Sequence, residues 1–323
     1  MDSSSIKEII KQMEASYPKA MIYRVEYTVT DTRTDAYYQR RRDLISLIEK
    51  TLAEESALPS SSTQAFKDRY QGLTGLEKSF ERELRFGPGS TYVADYSEDG
   101  TGFYMKQTYS YIGVDGKTSS RPPSIYVSNG KLMGTFYPED AQGVIQPATE
   151  RPQVPNDYWL DIAYRFDYRD ISANFETWEN LTLTETGDDI ILNANNPGPE
   201  KSMGYRELHI DKASLLPRKM TSIGYNRLGK LSSETMKFWQ YQDFSGVRLP
   251  KSVLEQEYHM DPEGKWNLEE QQTLTINGFA LTARNSADEF NALLKSNYSI
   301  FDEITGTHYL SGNPATMLDN LSK

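Results

Sequence analysis

Cysteine is missing altogether from the 323 residues. That excludes disulfides, thiolate metal sites and cysteine nucleophiles together, and it is compatible with an exported bacterial protein that avoids oxidative mispairing. Histidine is almost as scarce: His209, His259 and His308 are the whole set, none lies within metal-ligand spacing of another, and no HExxH or EF-hand loop occurs. No metal and no cofactor is therefore expected. Positive charge is also in short supply, since the formal net charge is −11. Binding to nucleic acid needs a concentrated basic face, and the one dense basic run, Arg40 to Arg42, reads as a solvated helix face. The same acidity disfavours flat adsorption to anionic lipid. There is no apolar run of membrane-spanning length. The opening, Met1, Asp2 and three serines, lacks the basic and apolar blocks of a signal peptide, which leaves a cytosolic chain or one whose native signal has been trimmed.

Catalytic signatures are missing as well. No G-x-S-x-G elbow is present, and Phe86 to Ser90 (FGPGS) contains Pro88 with no Lys-Ser/Thr sequel, so it is not a phosphate loop. Asp157 and Asp161, beside Trp159, have helical spacing, but a raised carboxylate pKa requires burial, and a short solvated segment explains them better. His209 alternates with Leu208 and Ile210 and belongs on the polar face of a strand. Asn180-Leu181-Thr182 matches a glycosylation acceptor by chance composition. The chain is expected to be no enzyme; a catalytic centre here would need carboxylates or tyrosines assembled from distant strands.

What the chain does have is tyrosine, 22 residues of it, a side chain suited to half-buried sheet faces and grooves. Ser5 and Glu8 have capping-box spacing ahead of Ile6, Ile9, Ile10 and Met13 on one helical face, and Tyr17-Pro18 ends that helix. Met21, Tyr23, Val25, Tyr27 and Val29 then alternate as a half-buried strand. From Asp31 to Phe86 the period turns helical: Leu44, Leu47, Ile48 and Leu52 define one helix, a polar loop runs from Pro59 to Thr63, and Phe66 to Leu84 defines a second helix weakened by Gly72 and Gly75. From Ser90 onward short alternating segments are punctuated by Asp99-Gly100, Asp115-Gly116, Asn129-Gly130, Asp188-Asp189 beside Gly187, and Asn277-Gly278, all of them reversal chemistry. The fold class expected is mainly β (α+β): one large antiparallel sheet, curved or closed to limit its edges. Pro147 to Pro155 is a connector, and no internal repeat is found.

Two passages carry a family resemblance. Ser124 to Asp140, SIYVSNGKLMGTFYPED, runs strand, Asn-Gly turn, strand and aromatic-Pro bend. Leu208 to Tyr258 runs from a strand ending in Asp211 through a Leu216-Pro217 step and two alternating strands to the DFSGVRLPKSV return. Both resemble the LolA/LolB-like lipoprotein-carrier superfamily. The resemblance implies a half-open β-barrel around a hydrophobic cavity with a helical lid, working in the periplasm or cell envelope on lipid or lipoprotein acyl chains. It places a LolA-like domain over residues 1–283 with a helical insertion at 31–86, and a helix or hairpin extension over 284–323. Period-two parity within the resembling passages nominates Val127, Leu132, Phe136, Met236 and Phe238 as cavity-lining ligand contacts. Met236 adds an adaptable thioether. The alternative is a protein-interaction or sensor module in which the sheet is scaffold and the insertion or tail engages an envelope protein.

Overall fold

The computed structural model describes residues 7–9, 11–12, 22–57, 63–85, 87–113, 115–148, 181–193, 203–226 and 230–311. Asp157, Trp159, Asp161, Asn180, most of the Pro147–Pro155 connector and most of the expected N-terminal helix lie outside them; residues 7–9 and 11–12 of that helix are helical.

Among the described residues sixteen strands form one curved, unclosed sheet. In chain order they are β1 (Tyr23–Arg33), β2 (Gly89–Glu98), β3 (Phe103–Ile112), β4 (Thr118–Ser120), β5 (Ser124–Ser128), β6 (Leu132–Tyr137), β7 (Gln142–Pro147), β8 (Thr182–Thr186), β9 (Asp189–Asn193), β10 (Met203–Asp211), β11 (Pro217–Tyr225), β12 (Leu231–Phe244), β13 (Val247–Met260), β14 (Trp266–Ala280), β15 (Ser299–Asp302) and β16 (Thr307–Leu310). Across the sheet they lie in the order β16-β15-β7-β6-β5-β3-β2-β1-β14-β13-β12-β11-β10-β9-β8, with β4 paired to β3. Three helices join them: α1 (Asp35–Ser56), α2 (Gln64–Leu84) and α3 (Ser286–Leu294). All strand pairs are antiparallel except β15 on β7, which is parallel. The expected tail hairpin is thus β15–β16, added to the main sheet.

The helical insertion sits where the change of period places it, between β1 and β2. Those strands pair up to Thr32 opposite Gly89, and the Arg33 N–H donates to the Pro88 carbonyl at 2.8 Å, so α1 and α2 are the elaborated turn of one hairpin. Most Gly turns also stand where the sequence puts them: Gly100, Gly116, Gly130 and Gly187 have positive φ, which glycine adopts without steric cost. Asn277-Gly278 is an exception. It lies inside β14, where the pairing with β1 slips between Glu26 and Tyr27, and the Asn277 amide donates to the Thr28 hydroxyl at 2.9 Å. A bulge uses the same residue types as a turn.

Two cores form on opposite faces. The larger gathers Val25, Tyr27, Met105, Met133, Leu192, Leu208, Trp239 and Ile276, among others, from β6 at one side to β9 at the other. These side chains are buried although, of the described helical residues, only Ile9 packs on them, so the curved sheet wraps this face and it is the concave one. The smaller core lies on the convex face, where α3 covers β3, β5, β6 and β7 through Phe136, Ile145, Phe290, Leu294 and Ile300. The Phe136 ring meets Phe290 and Tyr298 edge-on and lies so close to Gly134 and Gly143 that a Cβ there would stand 2.4 and 2.9 Å from it.

Asp99, in the β2–β3 turn, ties the two layers. Its carboxylate accepts from the Thr101 N–H, the Gly102 N–H and, at 2.7 Å, the Ser286 N–H at the first turn of α3, an orphan donor in a field that favours a negative charge. Burial opposes ionisation, but these hydrogen bonds outweigh it and hold the carboxyl well below the usual carboxylate range. A depressed folded pKa stabilises above the unfolded value and is lost as pH falls through the folded one. Asp99→Ala is therefore expected to cost about 1–3 kcal/mol at neutral pH. In urea melts taken from pH 7 downward, the gap to the parent should close below about pH 4; a gap independent of pH contradicts this role.

Candidate functional site

Residues directly opposite one another across a ladder point to the same side, so the concave face can be followed in rows. One row runs Tyr109–Tyr92–Val29–Leu274–Val253–Trp239. Two residues along each central strand, the next row reads Ser90–Asp31–Gln272–Glu255–Lys237 before continuing into Met220, Leu208 and Leu192. The following row reads Arg33–Glu270–Glu257–Thr235. Strands β1, β14, β13 and β12 therefore change together from apolar to polar or charged side chains at one level, so the concave face has an apolar floor and an ionic rim on one continuous surface.

The rim is closed by pairing. Lys237, only 5% exposed, meets Glu255 at 3.1 Å. Arg33 reaches Glu270 at 2.9 Å and Asp31 at 3.4 Å. His259 meets Glu257 at 2.6 Å. Burial drives the Asp31 and Glu270 carboxyls upward in pKa, and the Arg33 charge offsets only part of that. Glu257 is displaced the other way, first by its hydrogen bond to His259 and against the effect of burial, with Arg40 and Arg41 adding to the lowering.

Helix α1 is latched onto this rim. The Thr34 N–H donates to the Glu269 carbonyl at 2.9 Å, and the Thr34 hydroxyl donates to the Leu268 carbonyl at 2.6 Å. One turn on, Arg40 pairs at 2.6 Å with Glu269, a carboxylate only 3% exposed. Glu269 is the additional residue where β13 and β14 slip register between Glu257 and Tyr258, and the bulge lets it meet the helix. Arg41 and the Tyr37 hydroxyl both meet Glu83 of α2, at 2.7 and 3.1 Å, with Arg41 also over the Tyr37 and Phe80 rings. The basic run Arg40 to Arg42, expected to be a solvated face, thus supplies the latch with two of its three members. The rim carboxylates are each held against a basic side chain.

Farther along the floor, Tyr92 is 8% exposed and its hydroxyl has no hydrogen-bond partner among the described residues. Its ring meets Tyr27 edge-on, and the Tyr27 hydroxyl donates weakly to the Met105 sulfur at 3.8 Å. Burial pushes the Tyr92 phenol far above its ordinary value, so it stays a neutral donor.

The five nominated residues are not brought together on this face. Val127 and Phe136 are fully buried in the convex core, with Leu132 packed against it. Met236 and Phe238 are half-buried on the side of β12 opposite Trp239 and Lys237. All five have the outer parity. Period two separates the faces of a strand but does not say which one the curl encloses. The residues that do face inward beside them are Tyr126, Met133, Lys237 and Trp239. His209 stands where alternation puts it, on the polar face, 2.6 Å from Glu207. Two signals in the sequence point to this face. One is the continuation of the β1 alternation through Asp31 to Arg33; the other is the matching switch from Val253 to Glu255 and from Leu274 to Gln272.

Removing the latch cation leaves a buried carboxylate uncompensated. Arg40→Ala is expected to cost about 2–3 kcal/mol in urea unfolding, with faster amide exchange over α1. Arg40→Ala combined with Glu269→Gln should recover part of that loss. An Arg40→Ala protein as stable as the parent contradicts the latch.

No family model matches the sequence, and no curated protein matches it. Among solved structures the chain is similar to a LolA superfamily protein from Nitrosomonas europaea, at 11% identity over 88% of this chain and 96% of that one, with a TM-score of 0.34. It is also similar to a putative outer membrane lipoprotein-sorting protein domain from Vibrio parahaemolyticus, at 8% identity over 88% of this chain and 97% of that one, with a TM-score of 0.36.

Proposed function

We propose that this protein binds an amphiphile non-enzymatically in the bacterial cell envelope, laying an acyl chain along the concave floor with its polar end at the ionic rim. The observation that carries this reading is the switch along β1, β12, β13 and β14 from Val29, Trp239, Val253 and Leu274 to Asp31, Lys237, Glu255 and Gln272. An apolar surface bounded on one side by charge matches a molecule with the same polarity along its length. Burying a twelve-carbon chain at about 0.8 kcal/mol per CH₂ supplies roughly 9 kcal/mol before ordering costs. Helix α1, latched at the rim through Arg40, is the element that opens to admit the chain.

A second reading is favoured by α2. Among its described residues none is buried, and Tyr70 and Leu76 stay exposed alongside Leu47 of α1. An amphipathic helix left uncovered supports an interaction module in which the insertion engages an envelope protein.

Native mass spectrometry of gently purified protein, followed by lipid extraction, is expected to show a bound species that chloroform–methanol removes. Protein that arrives bare and takes up no acyl probe refutes the amphiphile reading. Because Arg33 and Pro88 are hydrogen-bonded neighbours, residues 35–86 can be replaced by a short turn. The shortened protein should keep its β circular-dichroism signal and acyl uptake while losing any partner captured from envelope extract. Unchanged capture refutes the module.

A further inference from the structure

We infer that the polar end accepted at this rim is an uncharged acyl ester or amide, held by the Tyr92 hydroxyl, and that carboxylate and phosphate head groups are rejected. The inference rests on the amphiphile reading above and adds its head-group class. Two independent observations carry it.

The first is the charge of the rim. Asp31, Glu255, Glu257, Glu269 and Glu270 supply five carboxylates, against three permanent cations: Lys237 and Arg40, each engaged with one of those acids, and Arg33, engaged with two. Arg41 and Glu83 cancel one another, and His259 adds a charge only when protonated. An anion entering beside these groups meets an excess of negative charge in a partly desolvated setting, where like charges interact far more strongly than in water. Among the described residues no cation on this rim is left over to receive it. An uncharged head group escapes that repulsion.

The second is Tyr92. It lies in the row next to the rim, opposite Val29, with its ring against Tyr27 on one diagonal and Asp31 on the other. A hydroxyl more than nine-tenths buried with no partner among the described residues forfeits a hydrogen bond that water would have given it. An ester or amide carbonyl at the junction of chain and head group restores that bond without bringing charge. Burial keeps the phenol protonated, so it serves as donor across the ordinary pH range.

Three probes with the same twelve-carbon chain separate the outcomes: monododecanoylglycerol, dodecanoate and dodecyltrimethylammonium, titrated calorimetrically at pH 8 below their micelle-forming concentrations. Monododecanoylglycerol is expected to bind at least tenfold more tightly than dodecanoate. Tyr92→Phe should weaken monododecanoylglycerol about threefold to tenfold and weaken it more than dodecyltrimethylammonium. Asp31→Asn should narrow the preference for the ester over dodecanoate at least threefold. If none of the three binds, the amphiphile reading itself fails. If dodecanoate binds as well as the ester, or Tyr92→Phe leaves ester affinity intact, the head-group assignment is overturned while the amphiphile reading stands.

Discussion

The structure depends on the burial of one face of a very wide sheet. A sheet of sixteen strands has two faces to account for; among the described helical residues Ile9 touches the concave face, α1 packs against β14, and α3 covers the convex face of β3, β5, β6 and β7. The apolar side chains of the other surface are buried because the sheet bends until β6 and β9 contribute to one cluster. Curvature here is the means of burial. It also encloses whatever the strands carry at that level, which is why the identity of each inward residue matters more than its place in sequence.

The same inward parity carries the rim. Beyond Val29 and Leu274 the alternation does not end; it continues with Asp31, Arg33, Gln272 and Glu270. Charges at enclosed positions are costly unless paired; Lys237–Glu255 and Arg33–Glu270 satisfy them within the sheet, while Arg40–Glu269 also ties down the insertion that follows β1. One side of the floor is thus bounded by paired charges, and the same end of the sheet carries the contact to α1.

Much of this was legible in the sequence. The alternation of Val25, Tyr27 and Val29, the change to helical period after Asp31 and the Asp-Gly and Asn-Gly reversals are local signals that depend on neighbouring residues, and they placed β1, α1, α2 and most turns. The resemblance of Ser124–Asp140 and Leu208–Tyr258 to carrier proteins gave the curved sheet. Three things were hidden because they arise only from assembly. The choice of face put Val127, Leu132, Phe136, Met236 and Phe238 on the convex side. The parallel docking of β15 on β7 joins segments about 150 residues apart. The bulge that frees Glu269 for Arg40 depends on register between two strands. Asn277-Gly278 shows the remaining ambiguity, since the dipeptide that makes a reversal elsewhere makes a bulge here.

The central claim is that the concave floor beside Trp239 receives an acyl chain. The direct measurement is fluorescence quenching in a variant that keeps Trp239 and replaces Trp159, Trp178 and Trp266 by Phe, titrated with acylglycerols brominated along the chain. Bromine quenches on contact, so the account predicts strong, saturable loss of Trp239 emission with brominated chains and none with their unbrominated counterparts. Binding without quenching, at any bromine position, would place the chain elsewhere and contradict the account.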